Sequence, residues 1–252
     1  MMYVKQLPSE QQLSSFYQEY GRYKGYSRNR RLTWLECAFK SSQNPYLEIL
    51  DRTGGIAGRT LLDLGCSTGE FLELVSYRRG IPTGVEIDQS ARTEGRARGL
   101  DILEEIPSGQ QFDVVCAFQV LEHLAAPSDL VATISRILTE TGRALIAIPN
   151  AGEVTEAGPS WIGFRVDLEH VNYFTQAAVA HLLLRHGLYV EHFWQHRQPA
   201  VNRTDLRQPA PARDRLISIL QGGLEATVRR LSPPPERFDE GTFVLSVLAR
   251  KG

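Results

Sequence analysis

The chain has 252 residues, with 28 basic and 29 acidic side chains, a net charge of -1 and 42% hydrophobic residues. This suits one α/β domain with an appendage and excludes a disordered or fibrous chain. The even charge argues against a dedicated nucleic-acid binder, which carries a basic excess.

Cys37, Cys66 and Cys116 are the 3 cysteines, far apart and without metal spacing. Reduced thiols of a cytoplasmic protein are therefore expected, not disulfides or zinc. No apolar run approaches the roughly 18 residues of a membrane span, and the N-terminus has no signal-peptide core. In chain order, residues 1–58 read as an N-terminal helical cap. A Ser9–Gln12 capping box opens one helix through about Tyr20. A second is predicted over 28–40 and a third over 45–52, closed by Gly54-Gly55.

From residue 59 short apolar runs alternate with helical stretches. Strands are predicted at 59–64, 81–87, 100–103, 112–118 and 143–148. Helices are predicted at 71–79, 89–98 and 128–139. This alternation predicts right-handed βαβ units around a mostly parallel sheet. A loop over 151–172 holds Trp161 and Phe164. A helix over 175–186 follows, with Thr175 as N-cap and Gly187 as its stop. Final strands are expected at 188–194 and 242–250. Between them an insert over about 197–240 begins Pro- and Arg-rich, then shows helical spacing over 214–231. The expected organisation is a cap over 1–58 and one ligand-binding domain over 59–252.

The sharpest feature is Leu61-Leu-Asp-Leu-Gly-Cys-Ser-Thr-Gly-Glu-Phe-Leu-Glu73. A buried strand ends at Asp63, a Gly-rich turn follows, and a helix begins near Thr68. Gly65 and Gly69 let backbone approach a ligand. The helix N-terminus offers free N–H groups at the carboxyl end of a strand, where ligands of open α/β sheets bind. The spacing is neither the dinucleotide fingerprint nor a P-loop. Gly84-Val-Glu-Ile-Asp88 ends the next strand. Glu86 stands about twenty positions beyond the loop, where an acid accepts hydrogen bonds from ribose hydroxyls. Asp88 also suits a helix cap. The third feature is Phe112-Asp-Val-Val-Cys-Ala-Phe-Gln-Val-Leu-Glu-His123, a buried strand turning over its own carboxyl end.

These segments closely resemble motif I, the ribose position and motif IV of class I S-adenosylmethionine (SAM)-dependent methyltransferases, over about residues 59–195 and the final strand. The resemblance implies a Rossmann-like, doubly wound, seven-stranded sheet, mostly parallel, with an antiparallel last strand. It implies SAM as cofactor. Asp63, Gly65, Cys66, Ser67 and Gly69 would hold its methionine part, with Phe118 and Gln119 beside it. Glu86 would hold the ribose and Ile87 the adenine face. Asp101 is the nearest candidate for a further adenine contact. Residues 7–17 and Glu169-His-Val-Asn-Tyr-Phe-Thr175 are similar to bacterial methyltransferases associated with sugar, surface-polysaccharide or natural-product pathways.

The expected reaction is methyl transfer to an oxygen or nitrogen of a small molecule. A nucleic-acid methyltransferase and a non-catalytic SAM-binding scaffold are the rival readings. Phe118-Gln-Val-Leu stands where amino-methylating nucleic-acid enzymes carry Asp/Asn-Pro-Pro-Tyr/Phe, so no nucleic-acid partner is expected. His123 and His170 are the candidate catalytic groups, because histidine takes a proton near neutral pH. Packing under the loop is the structural alternative. Some relatives in the ubiquinone-pathway group use an acid three positions before a Glu-His pair to bind metal. Gln119 holds that position here, so no metal ion is expected. Tyr17, Tyr20, Tyr23 and Tyr26 suit a cover over the cofactor or surface packing. The basic string 28–31 suits a phosphate contact or a solvated face. The helix over 214–231 suits a homodimer contact or an acceptor lid.

Overall fold

The computed structural model describes residues 2–3, 30–154, 170–196 and 244–252. The predicted helix over 9–20, the tyrosines 17–26, Trp161, Phe164 and the 197–240 insert lie outside them. In chain order the elements are β1 (Met2–Tyr3), α1 (Trp34–Gln43), α2 (Pro45–Arg52), β2 (Thr60–Leu64), α3 (Glu70–Tyr77), β3 (Ile81–Val85), α4 (Gln89–Ala97) and β4 (Ile102–Leu103). Then come β5 (Phe112–Phe118), a 3-10 turn (Leu121–His123), α5 (Pro127–Ile137), β6 (Leu138–Pro149), a second 3-10 turn (Ala151–Glu153), β7 (Asn172–Tyr173), α6 (Gln176–Leu184), β8 (Leu188–His196) and β9 (Val244–Lys251).

Local chemistry sets the helix ends. The α1 helix starts at Trp34, later than the predicted residue 28, because Thr33 and Glu36 form a reciprocal capping box there. Asn44 caps α2 through the N–H groups of Tyr46 and Leu47, with Pro45 in the first turn. Asp88 accepts from the Ser90 N–H at 2.7 Å and so caps α4. Thr175 caps α6 as expected. The fifth helix stops at Ile137, where β-branched Thr139 and Thr141 favour strand. β6 accordingly begins earlier than predicted, at Leu138.

Seven strands form one sheet in the order β4-β3-β2-β5-β6-β9-β8. Neighbouring pairs from β4 to β6 are parallel, and β9 runs antiparallel between β6 and β8. Side chains alternate between the two faces. Leu62, Leu64, Val115, Ala117, Ile146 and Val247 pack with α5 and α6. Leu61, Val114, Cys116, Leu145 and Leu248 pack with Leu47 and Leu50 of α2 and Leu74 and Val75 of α3. The helices before residue 58 therefore share a core with the sheet. Each fully buried Leu or Ile contributes roughly 1.5–3 kcal/mol.

The chain leaves β2 towards β3 and β4 on one side, then returns to β5 on the other. Connections from the carboxyl ends of β2 and β5 thus diverge. Open α/β sheets bind ligands at such switch points. Both sequence features, 63–69 and 118–123, emerge there.

Candidate functional site

Asp63 is the last residue but one of β2, beside Gly84 of β3 and Cys116 of β5. Gly65 and Cys66 then turn back, both donating to the Val85 carbonyl, at 2.8 and 3.1 Å. Gly65 has φ +74, and a Cβ there would stand 2.8 Å from Val120 Cγ2. The cofactor loop and the turn after β5 are therefore in direct contact. Ser67 also adopts a left-handed backbone, φ 52, and Gly69 opens α3.

Glu86 binds this loop from the neighbouring strand. Its Oε2 accepts the Ser67 N–H at 2.8 Å and its Oε1 accepts the Asp88 N–H at 2.9 Å. A carboxylate has about four lone-pair sites, so acceptor capacity remains for a ligand. Ile87, 70% exposed, offers a bare apolar face next to it. Asp63 is 3% exposed. Burial, then the Glu86 charge, pushes its carboxyl up to about 8. Among the described residues no basic side chain pairs with Asp63 or Glu86. Two acids without a cation fit a cationic ligand, and SAM carries both a sulfonium and an ammonium. Burial, followed by the Asp63 charge, pushes the Cys66 thiol far above its usual range, which removes it as a nucleophile at neutral pH.

The loop is also held from behind. Buried Arg98 pairs with Glu73 at 2.7 Å and donates to the Thr68 carbonyl. The second Glu73 oxygen accepts the Leu32 N–H at 2.5 Å. Asp101, by contrast, stands apart from the other cofactor candidates. It precedes β4, and its carboxylate accepts the Thr83 hydroxyl at 3.0 Å. The carboxyl end of that strand instead brings Leu103 against the Glu86 backbone, with Glu104 beyond it paired to Arg92 at 3.1 Å. Asp101 thus stands at the amino end of this two-residue strand, level with Thr83.

Phe118 ends β5 and stacks on Tyr46 of α2, with centroids 3.9 Å apart and an interplanar angle of 9°. Phe71 meets Phe118 edge-on at 5.0 Å. Gln119 takes a left-handed φ of 56 and donates its N–H to the Ala147 carbonyl. The backbone then coils so that Glu122 points inward, 0% exposed. Burial pushes its carboxyl up to about 8. His123 and His170 meet edge-on, rings 4.9 Å apart, and each Nε2 stands 3.9 Å from Glu122 Oε1. Backbone bonds bring His170 here: Val171 N–H donates to the Glu122 carbonyl at 2.8 Å, and the Asn172 side chain to the Leu124 carbonyl at 2.6 Å. The N-terminal Met2–Tyr3 strand pairs antiparallel with Asn172–Tyr173 beside them.

Nothing in the sequence marks Tyr46 as a neighbour of Phe118. Its hydroxyl is pushed far up by burial, and the Glu122 and Asp63 charges add to this. Its ring packs against Phe71 and Phe118 at the end of β5. An Asn-Pro helix start is an ordinary local signal, and nothing in it marks a distant contact. Glu122 was noted in sequence, but its enclosure beside two histidines follows only from the fold.

A family model described as methyltransferase domain matches residues 38–193. A ubiquinone biosynthesis O-methyltransferase of Pseudomonas paraeruginosa is 27% identical over 115 residues, 40% of this chain and 49% of that protein. The chain thus spans about half the length of the curated relatives it matches. An SAM-dependent methyltransferase from Mesorhizobium loti superposes with a TM-score of 0.56 at 16% identity, covering 83% of this chain and 98% of that one. The [4+2]-cyclase SpnF superposes with a TM-score of 0.58 at 18% identity, covering 100% and 99%. At such identities the superpositions show the fold alone, and one fold here carries differently named activities. The family match covers more than half of the chain and falls on the loop, Glu86 and the Glu-His turn: the protein belongs to the methyltransferase-domain family of class I SAM-dependent enzymes.

Proposed function

We propose that this chain transfers a methyl group from SAM to an oxygen or nitrogen of a small molecule, of the sugar-derived or secondary-metabolite kind. The observation that carries the reading is a strand-order switch point with two chemically distinct clusters at its rim. On one side Asp63 and Glu86, without a basic partner, suit a cationic cofactor, held also by the backbone of Gly65, Cys66, Ser67 and Gly69 and flanked by Ile87, Phe118 and Gln119. On the other, His123 and His170 face Glu122. When bound, SAM supplies an activated methyl on a good leaving group.

The chain's own part is alignment and proton management. Asp63 attracts the ammonium and Glu86 accepts from the ribose. His123 or His170 takes the acceptor's proton or orients its reacting atom. The name of the O-methyltransferase relative favours an oxygen acceptor. By sequence, residues 1–58 read as a cap, and the helical spacing over 214–231 suits a homodimer contact or a lid over the acceptor. No helix among the described residues is long and apolar enough to cross a membrane. The reduced-thiol reading of the cysteines supports a cytoplasmic location.

Calorimetric titration with SAM and S-adenosylhomocysteine tests the cofactor side. Saturable one-site binding is expected, with most of it lost in Asp63→Ala. Glu86→Ala should weaken SAM by about 1–3 kcal/mol, the scale of a hydrogen bond to a charged group. Wild-type affinity in both variants would refute the assignment. A tritiated-methyl screen over hydroxylated and amino metabolites then reads the acceptor.

A further inference from the structure

Glu86, the acid proposed for the ribose, sits on a turn with little backbone support. Glu86 and Ile87 leave β3 and precede Asp88, the cap of α4. The Glu86 N–H donates to the Leu103 carbonyl at 3.0 Å. Among the described residues no backbone N–H donates to the Glu86 or Ile87 carbonyl. Arg92 supplies those donors from one turn into α4, since helical side chains lean toward the helix N-terminus. Its Nη1 donates to the Glu86 carbonyl at 2.8 Å and to the Ile87 carbonyl at 2.7 Å. Its Nη2 pairs with Glu104, just beyond β4, at 3.1 Å. The Arg92 side chain is 8% exposed and that of Glu104 70%. A buried cation is costly unless it is paired and hydrogen-bonded, and these three acceptors satisfy it. One planar fork thus joins the end of β3, the start of α4 and the end of β4; the point charge of a lysine lacks that fork.

We propose that Arg92 is a positioning residue for Glu86, fixing the backbone from which the carboxylate meets the ribose hydroxyls of the cofactor. The Glu86 carbonyl is held by Arg92 and its N–H by Leu103. Its carboxylate oxygens are held by the Ser67 and Asp88 N–H groups. Backbone and side chain are therefore set before a ligand arrives, and a preorganised acceptor saves the cost of ordering on binding. Arg92 acts through Glu86, and Glu104 acts one step behind, by holding the guanidinium.

The inference rests on the SAM reading of this site. The test compares S-adenosylhomocysteine with its 2′,3′-dideoxy analogue, which lacks the hydroxyls that Glu86 accepts from. Calorimetry on the full chain measures both ligands, and wild type should prefer the first. Arg92→Met should weaken S-adenosylhomocysteine roughly tenfold, the scale of a hydrogen bond to a charged group, and leave the analogue unchanged. Arg92→Lys and Glu104→Ala should show the same ribose-dependent loss, smaller in size. On a Glu86→Ala background Arg92→Met should cost no further affinity, since the two residues act as one unit. Circular dichroism checks each fold. Equal losses for both ligands in folded Arg92 variants, or full affinity for both, overturn the role. Buried Arg92 is exposed to folding failure; if both Arg92 variants unfold, Glu104→Ala at its exposed position decides by the same criterion. A wild type indifferent to the ribose hydroxyls overturns the role together with the ribose assignment of Glu86. A wild type that binds neither ligand overturns the SAM reading as well, whereas a preference kept in every variant overturns the role of Arg92 alone.

Discussion

Asp63 shows how one side chain joins binding to proton uptake. Buried beside Glu86, it keeps its proton up to about pH 8. The unfolded chain releases that proton near pH 4. Between those values the folded chain therefore holds one proton more, and this group lowers stability as pH rises through the window. Asp63→Asn should flatten its share of that decline, read from urea midpoints at pH 5 and pH 8; an unchanged slope would contradict the buried, protonated state. A cationic cofactor favours the ionised carboxylate, so SAM binding at pH 7 should release a proton. The observed heat should then vary with the ionisation enthalpy of the buffer, and Asp63→Asn should remove that variation. The positions of Asp63 and Glu86 were legible in sequence because each lies at the carboxyl end of a strand whose turn is local. Asp101 was not, because its place depends on where a two-residue strand begins.

The cofactor loop is an element under local strain, braced from outside. Ser67 holds a left-handed backbone that costs a non-glycine residue roughly 1–2 kcal/mol. Ser67→Gly should raise stability by about 1 kcal/mol in denaturant titration, since the Glu86 contact uses the backbone N–H and survives the change. A loss of stability would mean that the hydroxyl carries a contact of its own. The brace is the Glu73–Arg98 pair, its side chains 4% and 1% exposed. Breaking a buried pair leaves an unpaired charge, which costs about 3–5 kcal/mol. Arg98→Ala should show that loss, together with weaker SAM binding, because the Thr68 carbonyl loses its donor. The double change Glu73→Leu with Arg98→Met should recover much of the stability and little of the SAM affinity. Equal losses in the single and double variants would exclude a pairing role.

At the scale of the molecule the candidate site is a product of strand order. The divergence of chain connections after β2 and β5 brings the glycine loop, Tyr46 and the Glu122 cluster to one rim. A ligand bound there ties both halves of the sheet to the helices above it and should stabilise the whole fold. With SAM at a hundred times its dissociation constant the gain is about 2.7 kcal/mol. For a domain of this size the expected rise in Tm is about 5–10 °C, measured by differential scanning calorimetry. A flat Tm under saturating SAM would contradict preferential binding to the folded chain.

The amino-acid sequence by itself determined most of the described strands and helices between residue 59 and the 190s, the start of β6 and the short β7 excepted, and the places of the glycine loop, Glu86 and the Glu-His turn. Those signals are local: alternation of apolar residues, caps and turn residues within a few positions of one another. Only the tertiary structure decided that Tyr46 stacks on Phe118, that Arg98 and Glu73 brace Thr68, and that His170 meets Glu122 across a long stretch of chain. Such contacts arise from strand order and from backbone bonds between distant segments, and spacing along one chain does not encode them.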